Sequence, residues 1–319
     1  MGRNAILFFV GKRLVAMAVL LVMLSLVIFS LTYLAPGSAA SLLLPITERT
    51  PARIAEINAK YHLNDPFLKQ YWRWAGGVLH GNLGTSVSTS LPVWETLKAR
   101  IPTTIFLSLY AYVLAMVFGV GSGAVAGMRR GQAIDRVTVG VSVVALSAPA
   151  FVTGVFALYL FSVLWPVFPV AGSGDWFFSE LGHLTLPAIT LASAVVAILI
   201  RHTRAAVNGV VDQDFVTFAR ARGLAPRKVL WAYTLRNALI PIVTISGPVL
   251  AGTVVGGVIV ESTFSISGIG SLLVSSVQGK DLPMIQGVAL LFAAVIILMN
   301  LAADVAYFAI DPRIRYGRT

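Results

Sequence analysis

Residues 14–34 read L-V-A-M-A-V-L-L-V-M-L-S-L-V-I-F-S-L-T-Y-L, twenty-one positions without a charged side chain. A hydrocarbon core about 30 Å thick is crossed by about 20 helical residues rising ~1.5 Å each, so this stretch alone is long enough to span a bilayer. Its apolar residues run continuously instead of alternating, which argues for a helix over a barrel strand. Arg3, Lys12 and Arg13 precede it and A-P-G-S-A-A (35–40) follows, the outline of a cleavable signal peptide. The run exceeds the roughly 7–15 residues of a signal's apolar core, so it reads as a retained anchor.

Five more runs lie downstream, at 105–128, 137–164, 186–200, 239–260 and 285–309. The fourth is short unless Thr185 and the residues from Arg201 to Thr203 extend it at the interface, which snorkelling of Arg201 allows. Across its 319 residues the chain is 57% hydrophobic and 12% charged, too little polar surface for a soluble domain. The expected fold is an all-α membrane protein with six transmembrane helices. It divides into an N-terminal tail and first helix (1–34), an extracytoplasmic loop (35–102) and a core domain (103–319). Cysteine is absent, which excludes disulfides and thiolate metal sites.

A net charge of +11 raises nucleic acid as a partner, and the placement of the 24 Lys and Arg answers it. Three precede the first run, three (Arg129, Arg130, Arg136) separate the second and third, seven fall from Arg201 to Arg236, and three (Arg313, Arg315, Arg318) lie in the tail. Residues 165–183 carry none and the last connection only Lys280, while the remaining seven lie in loop 35–102, which is longer than the short loops the positive-inside rule governs. By the positive-inside rule both termini are expected in the cytoplasm. The basic excess then reflects topology and attraction to membrane lipid, with no nucleic acid implied.

Loop 35–102 is expected to hold a helix from Pro51 to Tyr61, with Pro51 at its first position. Trp72, Trp74 and Trp94 read as an interfacial aromatic belt, and the loop as a whole as a docking surface for an external partner. Gly119, Gly123 and Gly127 recur every four residues in the second run, as Gly252 and Gly256 do in the fifth. Such stripes let helix backbones approach closely. Pro149 and Pro248 each remove a backbone hydrogen bond from a span and are expected to kink it.

The most informative hydrophilic segment is 208–236, N-G-V-V-D-Q-D-F-V-T-F-A-R-A-R-G-L-A-P-R-K-V-L-W-A-Y-T-L-R. A first helix is expected over 212–222, with Asp212 as N-cap, Asp214 in the first turn and Arg220 and Arg222 in the last, complementing the helix dipole. Gly223 ends it, and after Leu224 and Ala225 Pro226 opens a second helix whose Val229, Leu230, Tyr233 and Leu235 form an apolar face. That face either packs on the protein's own bundle or inserts into a groove on a partner.

This segment resembles that of the membrane subunits of binding-protein-dependent ABC importers, in their dipeptide/oligopeptide permease branch. In that family the stretch similar to T-F-A-R-A-R-G-L-A-P-R-K-V-L (217–230) and L-R-N-A-L-I-P (235–241) is the cytoplasmic loop that docks on the ATPase. Ala219 and Gly223 match the family's E-A-A…G signature, while Thr217 and Phe218 replace its Glu and Ala in the manner of the peptide-permease variant. Further resemblance lies in T-Y-L-A-P-G (32–37), V-E-S-T-F-S-I-S-G-I-G-S-L-L (260–273), D-L-P-M-I-Q-G (281–287) and N-L-A-A-D-V-A-Y-F-A-I-D-P-R-I-R-Y (300–316).

The resemblance implies a second, related permease subunit, two cytoplasmic ATPase subunits and an extracytoplasmic binding protein that delivers peptide, nickel chelate or haem. It assigns ATPase coupling to Asp214, Phe218, Ala219, Arg220, Arg222, Gly223, Leu224, Pro226, Arg227 and Leu230. No cofactor is then bound by this chain; ATP and Mg belong to the partner subunits, and no phosphate loop G-x-x-x-x-G-K-[ST] occurs here. Glu261, Phe264 and Asp304 are candidates for a translocation path or gate; Asp304 should face protein or water because intramembrane charge is expensive, and its alternative role is structural, as an ion-pair or hydrogen-bond partner. A secondary transporter or channel acting alone would instead show internal repeats, broken mid-membrane helices or clustered ionisable residues. An enzyme is not expected: H-E-x-x-H and G-x-S-x-G are missing, and His62, His80, His183 and His202 are scattered.

Overall fold

In the computed structural model the backbone is described for residues 3–34, 38–44, 46–48, 50–170 and 177–310. The described residues are helical throughout, apart from an isolated antiparallel bridge between Thr85 and Pro92 and the turns that join the helices. In chain order the helices are α1 (Arg3–Leu34), α2 (Ala39–Leu42), α3 (Pro51–Tyr61), α4 (Phe67–Leu79), α5 (Val93–Met128), α6 (Ala133–Ser147), α7 (Ala150–Leu158), α8 (Phe177–Val211), α9 (Asp214–Ala221), α10 (Pro226–Lys228), α11 (Arg236–Thr263), α12 (Ile269–Gln278) and α13 (Leu282–Ile310). Wider π-helical turns continue α7 over Tyr159–Leu164 and join α10 to α11 over Val229–Leu235.

Five of these stretches are long and apolar enough to cross a membrane: Gly11–Leu34, Val93–Met128, Leu181–Val211, Pro226–Thr263 and Leu282–Ala303. The sixth expected span is two helices, Ala133–Ser147 and Ala150–Leu164, bent by 98°. Pro149 therefore breaks its helix where a kink was expected. Ala148, the residue before it, sits at φ −87°, ψ 122°, the extended region that a following proline ring enforces. Pro248 instead lies within the continuous α11, together with Pro241.

Two spans outrun their apolar sequence. α5 starts at Val93 because Val93 and Leu97 are fully buried and pack with Ile269, Leu272, Met284 and Val288. α8 passes through Arg201 and Arg204 as far as Val211, extending the shortest expected span to 35 residues. It is also the most enclosed of the spans: 61% of its apolar stretch is buried, against 11% for α1.

The chain forms two compact units. The first comprises Met1–Thr104 and Ser267–Ile297. In it α3 starts where the sequence places it, with the Thr50 hydroxyl accepting from the Arg53 N–H at 3.3 Å and Pro51 following the cap. The buried Asp281 carboxylate accepts from the Ser86 hydroxyl (2.5 Å) and the Val87 and Ser88 N–H groups (3.2 Å each), and caps α13 through the Met284 N–H. Gln286, also buried, donates to Thr32 Oγ1 at 3.0 Å and the Ile28 carbonyl at 3.3 Å, tying α13 to α1.

The second unit comprises Ile105–Ile266 and Leu298–Thr319. Its core gathers Leu107, Ala111 and Ala115 of α5, Leu184, Leu191 and Leu199 of α8, and Val249 and Val260 of α11. The glycine stripe of α5 faces α8. A Cβ on Gly119 would sit 2.6 Å from Leu199 Cβ, on Gly123 2.8 Å from the Ile200 carbonyl, and on Gly127 2.8 Å from Val207 Cβ. The two backbones approach too closely for any side chain at these positions.

Candidate functional site

The segment after α8 is built as a small platform. The N-cap of α9 is Gln213, at ψ 147° and without a side-chain cap bond. Asp212 is displaced from the expected capping position because α8 runs on to Val211, and its carboxylate lies 3.8 Å from Arg130. Asp214 occupies the first turn of α9 and Arg220 the last, so both ends complement the helix dipole.

The exit from α9 is a Schellman turn. Gly223 stands at φ +73°, its N–H donates to the Arg220 carbonyl (2.9 Å), and the Leu224 N–H reaches back to the Ala219 carbonyl (3.3 Å). No atom lies within 4 Å of a Cβ built on Gly223, so backbone conformation alone selects glycine here. Pro226 then opens α10.

Val216 and Ala219 of α9 pack with Val229 in a buried cluster that Leu224 and Tyr233 complete. Leu235 is buried with Val207, Ala238 and Ile242, and Leu230 packs against them. Of the two readings of the 229–235 stripe, packing on the chain's own bundle therefore holds. The wider π-helical register over Val229–Leu235 shifts the phase of successive side chains and leaves Trp231 69% exposed. The outer face of α9 carries Phe215 and Phe218, the latter also 69% exposed, and Asp214, Arg220, Arg222, Pro226 and Arg227 are exposed around it. The expected coupling residues thus divide: Ala219, Leu224 and Leu230 turn towards the protein, while Phe218 and the arginines turn outwards.

An ion pair that sequence reading misses braces this end of the bundle. Arg204 of α8 grips Asp135 of α6 with both arms, Nε to Oδ1 at 2.5 Å and Nη2 to Oδ2 at 2.9 Å. The Gly131 N–H adds a third bond at 2.9 Å, and Asp135 is 3% exposed. The available signal was an arginine inside an apolar helix, which requires a partner.

Glu261 and Phe264 lie at the other end of α11, and both are buried. Phe264 packs in the core with Leu107, Leu184 and Ile266, and its ring lies 3.2 Å from a Cβ built on Gly154. The Glu261 carbonyl accepts from the Ile266 N–H at 2.8 Å, closing the turn after the helix. Asp304 falls on α13, its side chain outside the described residues, as are residues 311–316 of the last family-like stretch. Among the described residues no group of His, Cys, Asp and Glu is arranged to hold a metal ion.

Comparison with known proteins agrees with this geometry. Residues 119–316 match the family described as binding-protein-dependent transport system inner membrane component, and residues 6–108 match the N-terminal part of such components. A probable peptide ABC transporter permease protein of Sinorhizobium fredii is 36% identical, covering 97% of this chain and 99% of its own. The dipeptide transport system permease protein DppB of Escherichia coli is 31% identical and the glutathione transport system permease protein GsiC of Shigella flexneri 34%, each with the same coverage. A solved structure of the MetNI methionine ABC transporter in inward facing conformations shares the fold, with a TM-score of 0.57 at 16% identity over 67% of this chain and 96% of that one. With a family match over more than half its length and relatives aligned from end to end, the chain belongs to the inner membrane components of binding-protein-dependent ABC transport systems.

Proposed function

We propose that this chain is one of two related permease subunits of an importer for di- and oligopeptides. Two ATPase subunits dock on its α9 platform from the cytoplasm, and a binding protein delivers substrate on the opposite side. The observation that carries the coupling role is the platform itself. Val216, Ala219 and Val229 fasten α9 to the bundle, while Phe218 and the surrounding arginines remain available to a partner. Force applied to such a seated helix reaches α8 and α11 without first being absorbed by a flexible loop. ATP-driven closure of the ATPases then biases the bundle between inward-open and outward-open states, in proportion to the difference in their contacts with each.

The distribution of Lys and Arg supports a topology with both termini in the cytoplasm, together with the platform at 208–236. Glu261 and Phe264, packed at the far end of α11, are read as part of a closed gate, and Asp304 as an acid facing the bundle or the path. Peptide is preferred to nickel chelate or haem because the relatives above are named for peptide, dipeptide and glutathione, all carrying amide-linked residues.

Vesicles reconstituted with all the subunits and supplied with binding protein are expected to accumulate radiolabelled dipeptide only when ATP is supplied on the side of the ATPases. Unlabelled peptides should compete, and haem or nickel chelate should not. Competition by haem or nickel chelate alone would overturn the substrate assignment, and uptake without the ATPase subunits would overturn the coupling.

A further inference from the structure

Helix α4 belongs to a segment expected from sequence to be an extracytoplasmic loop, yet it is fastened along the side of a membrane span. Tyr71 exchanges a hydrogen bond with Ser25 Oγ of α1 at 2.9 Å. Ser25 precedes the end of α1 at Leu34 by nine residues, so this contact lies about 13 Å down the helix axis. Around it Phe29 touches the rings of Phe67, Tyr71 and Trp74, with centroids 5.4–5.8 Å apart, and Tyr33 meets Phe67 at 5.3 Å. Aromatic contacts of this kind hold one face of α4 against the last three turns of α1.

The other face of α4 carries Leu68, Trp72 and Leu79, which are 62%, 65% and 86% exposed. Elsewhere on its surface α1 exposes Val22, Met23, Val27 and Leu34, as suits a helix long and apolar enough to span. A helix bound along such a span shares its surroundings. Lys69 and Arg73 both pair with Asp65, at 3.3 and 2.5 Å. One carboxylate thus serves two exposed cations, and the excess positive charge suits phosphate headgroups.

We infer that α4 is an interfacial helix whose Leu68–Trp72–Leu79 face is embedded in phospholipid at the Leu34 end of α1, with Lys69 and Arg73 reaching the headgroups. Trp at the acyl–headgroup boundary and basic side chains extending to the water are the arrangement such helices adopt. The inference rests on α1 spanning the membrane and is independent of the transported substrate.

The absence of cysteine makes the test direct. Leu68→Cys, Trp72→Cys and Glu56→Cys, the last on exposed α3, are each labelled with an environment-sensitive fluorophore in the complete transporter. The transporter is reconstituted in vesicles of mixed zwitterionic and anionic phospholipid. Spin labels placed shallowly on the acyl chains should quench the probes at positions 68 and 72 at least threefold more than the probe at 56, and aqueous iodide should do the reverse. Quenching by iodide at position 72 equal to that at 56 would overturn the inference in favour of a water-facing helix. Shielding of position 72 from both quenchers would overturn it in favour of a protein partner.

Discussion

Gly123→Val is expected to destabilise the membrane subunit by about 3 kcal/mol, the upper end of the cost of overpacking a tight interface. A Cβ at this position meets the Ile200 carbonyl oxygen and Thr203 Cβ, both at 2.8 Å, and a backbone atom cannot rotate away as a side chain can. Relief requires α5 and α8 to separate, which also opens the contacts at Gly119 and Gly127. Gly121→Val on the same helix is the control, since no atom lies within 4 Å of a Cβ there. Thermal aggregation followed by fluorescence-detected size exclusion should show a midpoint about 5–10 °C lower for Gly123→Val and nearly unchanged for Gly121→Val. Equal behaviour of the two would mean that the stripe does not set the helix approach.

Arg204→Ala is expected to cost about 3 kcal/mol, because it leaves the buried Asp135 carboxylate with one backbone donor at Gly131 and only the weaker field of Arg130 as compensating charge. The larger part of that loss comes from the stranded charge and the smaller part from the attraction removed. The double variant Asp135→Asn with Arg204→Leu is therefore expected to recover most of the stability lost by Arg204→Ala alone. Arg204→Lys should fall between them, since an ammonium cannot reproduce the two parallel bonds. A double variant as unstable as the single one would show that Arg204 acts through its aliphatic packing.

The features legible in the sequence are those encoded within a few residues. Thr50 followed by Pro51 specifies the start of α3, and the structure begins the helix there. Gly223 marks a left-handed turn because a side chain at φ +73° is strained. The four-residue spacing of Gly119, Gly123 and Gly127 announces a close helix contact, although the sequence does not say which helix supplies it.

The features that escaped are those decided by partners distant in the chain. Val93 and Leu97 look like loop residues beside Glu95, Lys98 and Arg100 until Ile269 and Met284 enclose them and draw the start of α5 back to Val93. The apolar stripe 229–235 leaves open whether it packs on its own bundle or on a partner, and the π-helical register decides it by burying Val229 and Leu235 while exposing Trp231. Asp135 and Arg204 are 69 residues apart, and neither has a local pattern that names the other. Loop 35–102 reads as an extracytoplasmic docking loop with Trp72 and Trp74 at the interface, while the aromatic side of α4 turns Trp74 inwards and commits part of the loop to the flank of α1.

The central claim is that the outer face of α9 meets an ATPase. The most direct test carries a photoactivatable cross-linker on Phe218→Cys, the sole thiol of this chain, in the fully assembled transporter in lipid. The account predicts a covalent adduct with an ATPase subunit, its yield changing between nucleotide-free and ATP-bound states, and none from the same reagent on Glu56→Cys. Adducts from the probe at position 218 that are confined to lipid, or formed with the binding protein, would contradict it.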